Sequence, residues 1–132
     1  MSTPPAAVRI TSIAFTAYPV TDIARARAFY EALLGLQTGV TYEHEGKAWI
    51  EYDIGPGTIA ISNMGAENWQ PSANGPSVAL EVADFDGAVA ALRAGGARFA
   101  IEPMDSGVCR MAGVLDPDGN SLMIHQRRPA KD

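Results

Sequence analysis

The sequence is short of cysteine, of positive charge and of long apolar runs, and each shortage removes a class of protein. A single cysteine, Cys109, in 132 residues leaves no internal disulfide and no cysteine-spaced zinc site. Ten Lys and Arg stand against fifteen Asp and Glu, for a net charge of −5. Phosphate backbones demand clustered cations, so nucleic acid is not an expected partner. No stretch approaches the roughly 18 apolar residues of a membrane span. The opening MSTPPAAVRI lacks the apolar centre of a secretory signal. There is no Gly-rich phosphate loop, no HExxH helix and no nucleophile–base pair. The expectation is a soluble, cytoplasmic protein without a membrane partner.

What remains is an ordinary globular composition, 47% hydrophobic and 19% charged, enough to bury one core without covalent staples. The whole of 1–132 reads as one domain. Its most informative stretch is 114–125, VLDPDGNSLMIH. Pro117, Gly119 and Asn120 supply the backbone angles of a turn, and Asp116 can accept backbone N–H bonds as in an Asx-turn. After the turn, Leu122 and Ile124 alternate with Ser121, Met123 and His125, a strand with two chemically different faces.

The rest of the chain repeats one pattern. Residues 1–7 are a frayed lead-in. Residues 8–20 predict a long β segment, and Thr21 or Asp22 caps a helix over 22–34 that Gly35 ends. Strands follow at 37–43, 48–54 and 58–63, with a hairpin turn at Gly55-Pro56-Gly57. Residues 64–76, rich in Gly, Pro, Asn and Ser, form a linker. A second unit then predicts a strand at 77–82, a helix capped by Asp84 or Asp86 and ended by Gly95-Gly96, and strands at 97–102, 108–115 and 121–127. The modules are therefore 8–63 and 77–127. From Phe15 to Ser77 the offset is 62 residues, from Gly35 to Gly96 it is 61, and from Ala60 to Met123 it is 63. A near-constant period across a chain marks duplicated supersecondary units. The fold class is α+β, two tandem βαβββ modules building a cup-shaped mixed sheet with the helices outside.

Strict alternation along strands sorts the side chains. Ile50, Tyr52, Ile54, Ile59, Ile61, Val78, Leu80, Val82, Leu122 and Ile124 belong under the helices. Trp49, Glu51, Ala60, Ser77, Glu81, Met123 and His125 then face the concave side, with Phe15 joining them if Pro19 leaves the register unshifted. Cys109 reads as a buried structural thiol, and Arg127 with Arg128 as a solvated tail.

The segments YPVTDIARARAFYEALLGL (18–36), VALEVADFDGAVAALRAGG (78–96) and LDPDGNSLMIH (115–125) resemble the vicinal oxygen chelate superfamily, which includes glyoxalase I, bleomycin-resistance proteins and extradiol dioxygenases. The resemblance implies a homodimer and a divalent metal held in the cup by one ligand from the first and last strand of each module. Carried over residue by residue, those positions are Phe15, Ala60, Ser77 and Met123. Metals of this kind take imidazole or carboxylate ligands. Phenylalanine and alanine offer no lone pair, and a serine hydroxyl and a thioether are poor substitutes. The expectation is no metal and no other cofactor. The expected function is metal-free binding of a small, partly apolar or aromatic molecule, with Phe15, Trp49, Glu51, Ala60, Ser77, Glu81, Arg110, Met123 and His125 lining the site. The alternative is a glyoxalase-like lyase or isomerase, with His125, Glu81 or Glu51 moving protons. Beside each stands a plainer role: His125 bonded at a strand end, Glu81 solvated on a rim, Glu51 and Arg110 on the surface. A pairing of Glu81 with His125 follows if their strands are neighbours.

Overall fold

A four-residue strand, an aspartate-capped helix and three antiparallel strands make up each half of the chain. In the computed structural model, which describes residues 8–128, the first half runs β1 (Thr16–Pro19), α1 (Ile23–Arg27), β2 (Thr38–His44), β3 (Lys47–Ile54) and β4 (Gly57–Ser62). The second runs β5 (Val78–Glu81), α2 (Phe85–Ala94), β6 (Arg98–Asp105), β7 (Cys109–Leu115) and β8 (Ser121–Arg127). The lead-in 1–7 lies outside the described residues, as do 129–132. Two tandem βαβββ modules thus form an α+β fold. Their strands make two four-stranded mixed sheets, ordered β1-β4-β3-β2 and β5-β8-β7-β6, and not one continuous sheet. The first and last strands of each module pair in parallel, with Ala17 opposite Ala60 and Ala79 opposite Met123. The duplication seen in the sequence is therefore also a duplication of register.

Both helices start as the sequence dictates. The Asp22 carboxylate accepts from the Arg25 backbone N–H at 3.0 Å, and the Asp84 carboxylate accepts from that of Gly87 at 3.0 Å, each satisfying a donor that a helix start leaves free. Two expectations are corrected. The β segment expected over 8–20 is a strand only at Thr16–Pro19. β4 starts at Gly57, and Thr16 already pairs with Ile59, so the chain before β1 runs out of partner backbone. The helix expected over 22–34 is not uniformly α: Ala28–Leu33 is π-helical, with the Leu34 N–H bonded to the Phe29 carbonyl five residues back at 2.9 Å. Gly35, at φ +73°, ends it in the left-handed region that glycine enters without strain.

One core fills the space between the helix-bearing faces of the two sheets. Ile50, Tyr52, Ile59 and Ile61 contribute from the first, and Ala112, Val114, Leu122 and Ile124 from the second. Tyr30, fully buried, stacks on Tyr52 with ring centroids 6.0 Å apart. Burial beside the Asp116 carboxylate drives the Tyr30 hydroxyl far above its ordinary range, which fixes it as a neutral hydrogen-bond donor.

The turn between β7 and β8 locks the modules together. Asp116 is fully buried, and its two carboxylate oxygens accept four bonds: from the backbone N–H of Asp118 and Asn120 at 2.9 Å each, from the Tyr30 hydroxyl at 2.8 Å, and from Asn120 Nδ2 at 2.9 Å. Asn120 Nδ2 also donates to the Pro19 carbonyl of β1 at 2.7 Å, while its Oδ1 accepts from the Ser72 N–H of the linker at 3.2 Å. Asp118 takes hydrogen bonds from Thr21 and Arg25 at the start of α1. Tyr18 of β1 completes the join, donating to the Ser121 carbonyl and accepting from the Val78 N–H, both at 2.8 Å.

Asn120→Ala strips two donated bonds and one accepted bond from this buried junction, so it is expected to lower unfolding stability by about 2–4 kcal/mol. Urea denaturation checks it: the midpoint falls while the slope stays unchanged. A midpoint shift below about 0.5 kcal/mol in stability terms contradicts the locking role.

Candidate functional site

The face of the first sheet that points away from the core is aromatic above a floor of small side chains. Trp49 and Glu51 project from β3 with the parity opposite to Ile50 and Tyr52, so both sit over β4, where Trp49 faces Ser62 and Glu51 faces Ala60. The Phe15 ring, immediately before β1, meets the Trp49 indole edge-on at 5.1 Å. Trp49 Nε1 donates to Glu51 Oε2 at 2.8 Å, which holds both indole and carboxylate in fixed positions. Phe15 keeps 45% of its surface exposed, while Ala60 beneath is fully buried. Tyr42 of β2 lies directly opposite Trp49 and is half exposed, extending the aromatic face. Sequence reasoning passed over Tyr42. Tyr42 alternates with Thr41 and Glu43 in the sequence, and only its pairing opposite Trp49 shows which face it joins.

The second sheet carries the other group. Glu81 on β5 and His125 on β8 are register partners, and His125 Nδ1 lies 2.5 Å from Glu81 Oε1. The other carboxylate oxygen accepts the Arg127 backbone N–H at 2.7 Å. That backbone bond first, and the His125 contact second, hold the Glu81 carboxyl below the usual carboxylate range. Glu81 is thus an anion that orients the imidazole and leaves Nε2 directed elsewhere. Met123 lies two residues before His125 on the same face, opposite Ala79, with Met111 and Gly113 of β7 beside them. Ser77 is exposed, one residue before β5.

The structure therefore brings Phe15, Trp49, Glu51 and Ala60 together on one sheet, and Glu81, Met123 and His125 together on the other. Arg110 joins neither group. It shares the buried parity of Ala112 and Val114, and its guanidinium pairs with Asp86 at 2.6 Å and covers the Phe85 ring at 4.6 Å. Its place on the helix-bearing face corrects the reading of Arg110 as a ligand contact, and the sequence signal was available: Arg110 is four residues before the buried Val114. Cys109 is half-buried, with its thiol 3.4 Å from the Ser106 hydroxyl.

The donor set does not suit a metal. Phe15 and Ala60 present only carbon, and Ser77 and Met123 add one hydroxyl and one thioether. Among the described residues no group of three or more His, Cys, Asp or Glu side chains is placed to hold an ion. No helix among them is long and apolar enough to cross a membrane.

Comparison with known proteins agrees with this architecture. The chain is similar in structure to TnmS3, an antibiotic binding protein from Streptomyces sp. CB03234, at a TM-score of 0.74 and 19% identity, covering 92% of this chain and 99% of that one. A putative glyoxalase family protein from Bacillus anthracis matches with a TM-score of 0.72 and 21% identity over 93% and 100% of the two chains. The genomically encoded fosfomycin resistance protein FosX from Listeria monocytogenes matches with a TM-score of 0.71 and 15% identity over 91% and 96%. At such identities the likeness is one of fold. No protein of curated function matches the sequence. The model of the Glyoxalase/Bleomycin resistance protein/Dioxygenase superfamily matches residues 12–124, and the chain belongs to that superfamily.

Proposed function

We propose that this protein binds a small, partly apolar or aromatic molecule without a metal ion, as a homodimer in the cytoplasm. The observation that carries the reading is the face formed by Phe15, Trp49 and Tyr42 around the Glu51 carboxylate. Half-exposed rings above an alanine floor offer a flat molecule stacking surface, and the anchored carboxylate offers one polar contact to orient it. An apolar site with few convergent polar groups is how small-molecule pockets are usually built. That a structural relative binds an antibiotic is consistent with this use of the fold. Partly exposed aromatic rings also favour pairing with a second copy, which supports the dimer.

A thermal-shift screen of aromatic compounds, with elemental analysis of the purified protein, tests the proposal. Ligands from the screen are expected to bind Trp49→Ala about five-fold or more weakly than the parent chain, the value of one aromatic contact. EDTA is expected to leave the melting temperature unchanged. Stoichiometric divalent metal, removed by EDTA with a fall in melting temperature, overturns the metal-free reading.

A second reading has its own observation, the Glu81–His125 contact at 2.5 Å. A carboxylate that fixes an imidazole is the arrangement of a general base, and a lyase or isomerase would use it to move a proton. This version predicts that His125→Ala abolishes turnover and spares the fold. The pair has a pH signature in either case. A carboxyl held below its ordinary value stabilises the fold above about pH 4.3, and that contribution is lost as pH falls through the lowered value. The melting-temperature gap between the parent chain and Glu81→Gln is therefore expected at pH 7, narrows as pH falls below about 4.3 and closes below the lowered value. A gap unchanged at pH 3 contradicts the ionised pair.

A further inference from the structure

An open cleft of about 500 Å³, sharing no lining residue with the aromatic face, lies between the first helix and the turn that joins α2 to β6. One wall is the π-helical stretch, which presents Ala28, Phe29, Ala32 and Leu33. The opposite wall is the turn 95–97, Gly-Gly-Ala, and Leu115 with Pro117 closes one end. The two walls touch at one point, since a Cβ on Gly95 would come within 2.5 Å of Leu33 Cδ1, and that contact bounds the cleft on one side. A cleft of this size lies within the ordinary range for small-ligand sites. π-helical turns are rare and recur at functional sites, because the widened turn is tolerated where it shapes a surface.

Charge gives the cleft a direction. Arg25 and Arg98 both line it. Arg25 is already matched to Asp118 at 2.9 Å. Arg98 donates from Nη2 to the Asp116 carbonyl at 3.2 Å, which orients its guanidinium, and among the described residues it forms no ion pair. The nearby Asp116 carboxylate faces inward, with four donors of its own. An oriented guanidinium without a carboxylate, at the lip of an apolar cleft, is complementary to an anion carrying an apolar body.

We propose that this cleft is a second binding site, for an amphipathic carboxylate whose head group meets Arg98 and whose hydrocarbon lies between the π-helical wall and the 95–97 turn. The site is independent of the Trp49 face and does not rest on the function proposed for it.

Decanoate and its uncharged counterpart decanol are the probes, titrated into the full chain and followed by amide chemical shifts. Decanoate is expected to move the signals of Ala32, Gly95, Gly96 and Ala97 and to bind at least about tenfold more tightly than decanol, the yield of one charge-assisted contact. Arg98→Gln keeps a donor for the Asp116 carbonyl and removes the charge, so it is expected to weaken decanoate about tenfold and leave decanol unchanged. Ala32→Leu fills the cleft with a good helix former and is expected to weaken both. Trp49→Ala is expected to leave decanoate binding as it was, which separates this site from the aromatic face. Equal affinity for the two probes, an unchanged affinity in Arg98→Gln, or shifts confined to the Trp49 and His125 faces would each overturn the proposal.

Discussion

A buried carboxylate is tolerable only when its oxygens are fully hydrogen-bonded, and in this protein that requirement gathers four parts of the chain around one residue. Asp116 takes donors from its own turn, from Asn120 and from Tyr30 on the π-helical stretch. Asn120, held by Asp116, reaches β1 and the linker in turn. The two modules share no strand ladder, so their mutual placement depends on side chains, and this junction supplies the directional part. Hydrophobic burial presses the two sheets together without choosing an angle. Bonds of 2.7–2.9 Å between fixed donors and acceptors choose it.

The features legible in the sequence are those decided by neighbours a few residues apart. Alternation placed Ile50, Tyr52, Ile59, Ile61, Leu122 and Ile124 on the buried faces, and all six are buried; Val78, Leu80 and Val82 are partly so, and Ile54, at the end of β3, is exposed. The helix starts were narrowed to Thr21 or Asp22 and to Asp84 or Asp86, and the caps are Asp22 and Asp84. β8 has the bounds its pattern predicts, Ser121–Arg127, because a strong turn precedes it and both its faces are chemically distinct. What escaped depends on distant partners. Nothing local to residues 8–15 says that β4 is too short to pair with them. The π-helical turn keeps the apolar spacing of an α-helix closely enough to pass as one. Tyr42 belongs to a strand exposed along its whole length, so only its pairing with Trp49 assigns its face. Arg110 looked like a site residue because a charge on a middle strand suggests function, although its parity with Val114 put it under a helix.

The candidate site shows a division of labour. The first sheet offers rings and one anchored carboxylate, a surface suited to holding a flat molecule. The second offers a carboxylate–imidazole pair and a soft thioether, a surface suited to polar contact and proton exchange. In the superfamily at large this fold serves several chemistries, so fold membership does not choose among them. The choice here falls on residue identity. Phe15 and Ala60 present only carbon to the concave face, Ser77 and Met123 a hydroxyl and a thioether, and the titratable groups are Glu51, Glu81 and His125.

The π-helical turn also reconciles two helices of unequal length. From Asp22 to Gly35 is thirteen residues, and from the equivalent Asp84 to Gly96 is twelve. Both glycines sit at nearly the same left-handed angle, +73° and +79°, so the two helices are bracketed by matching landmarks. The first helix holds one residue more than its twin between them. A bond spanning five residues where the regular helix spans four is how an extra residue is accommodated without moving either end. The wide turn thus takes up the one-residue difference between the two helices, so that both still end on a left-handed glycine although the first is longer.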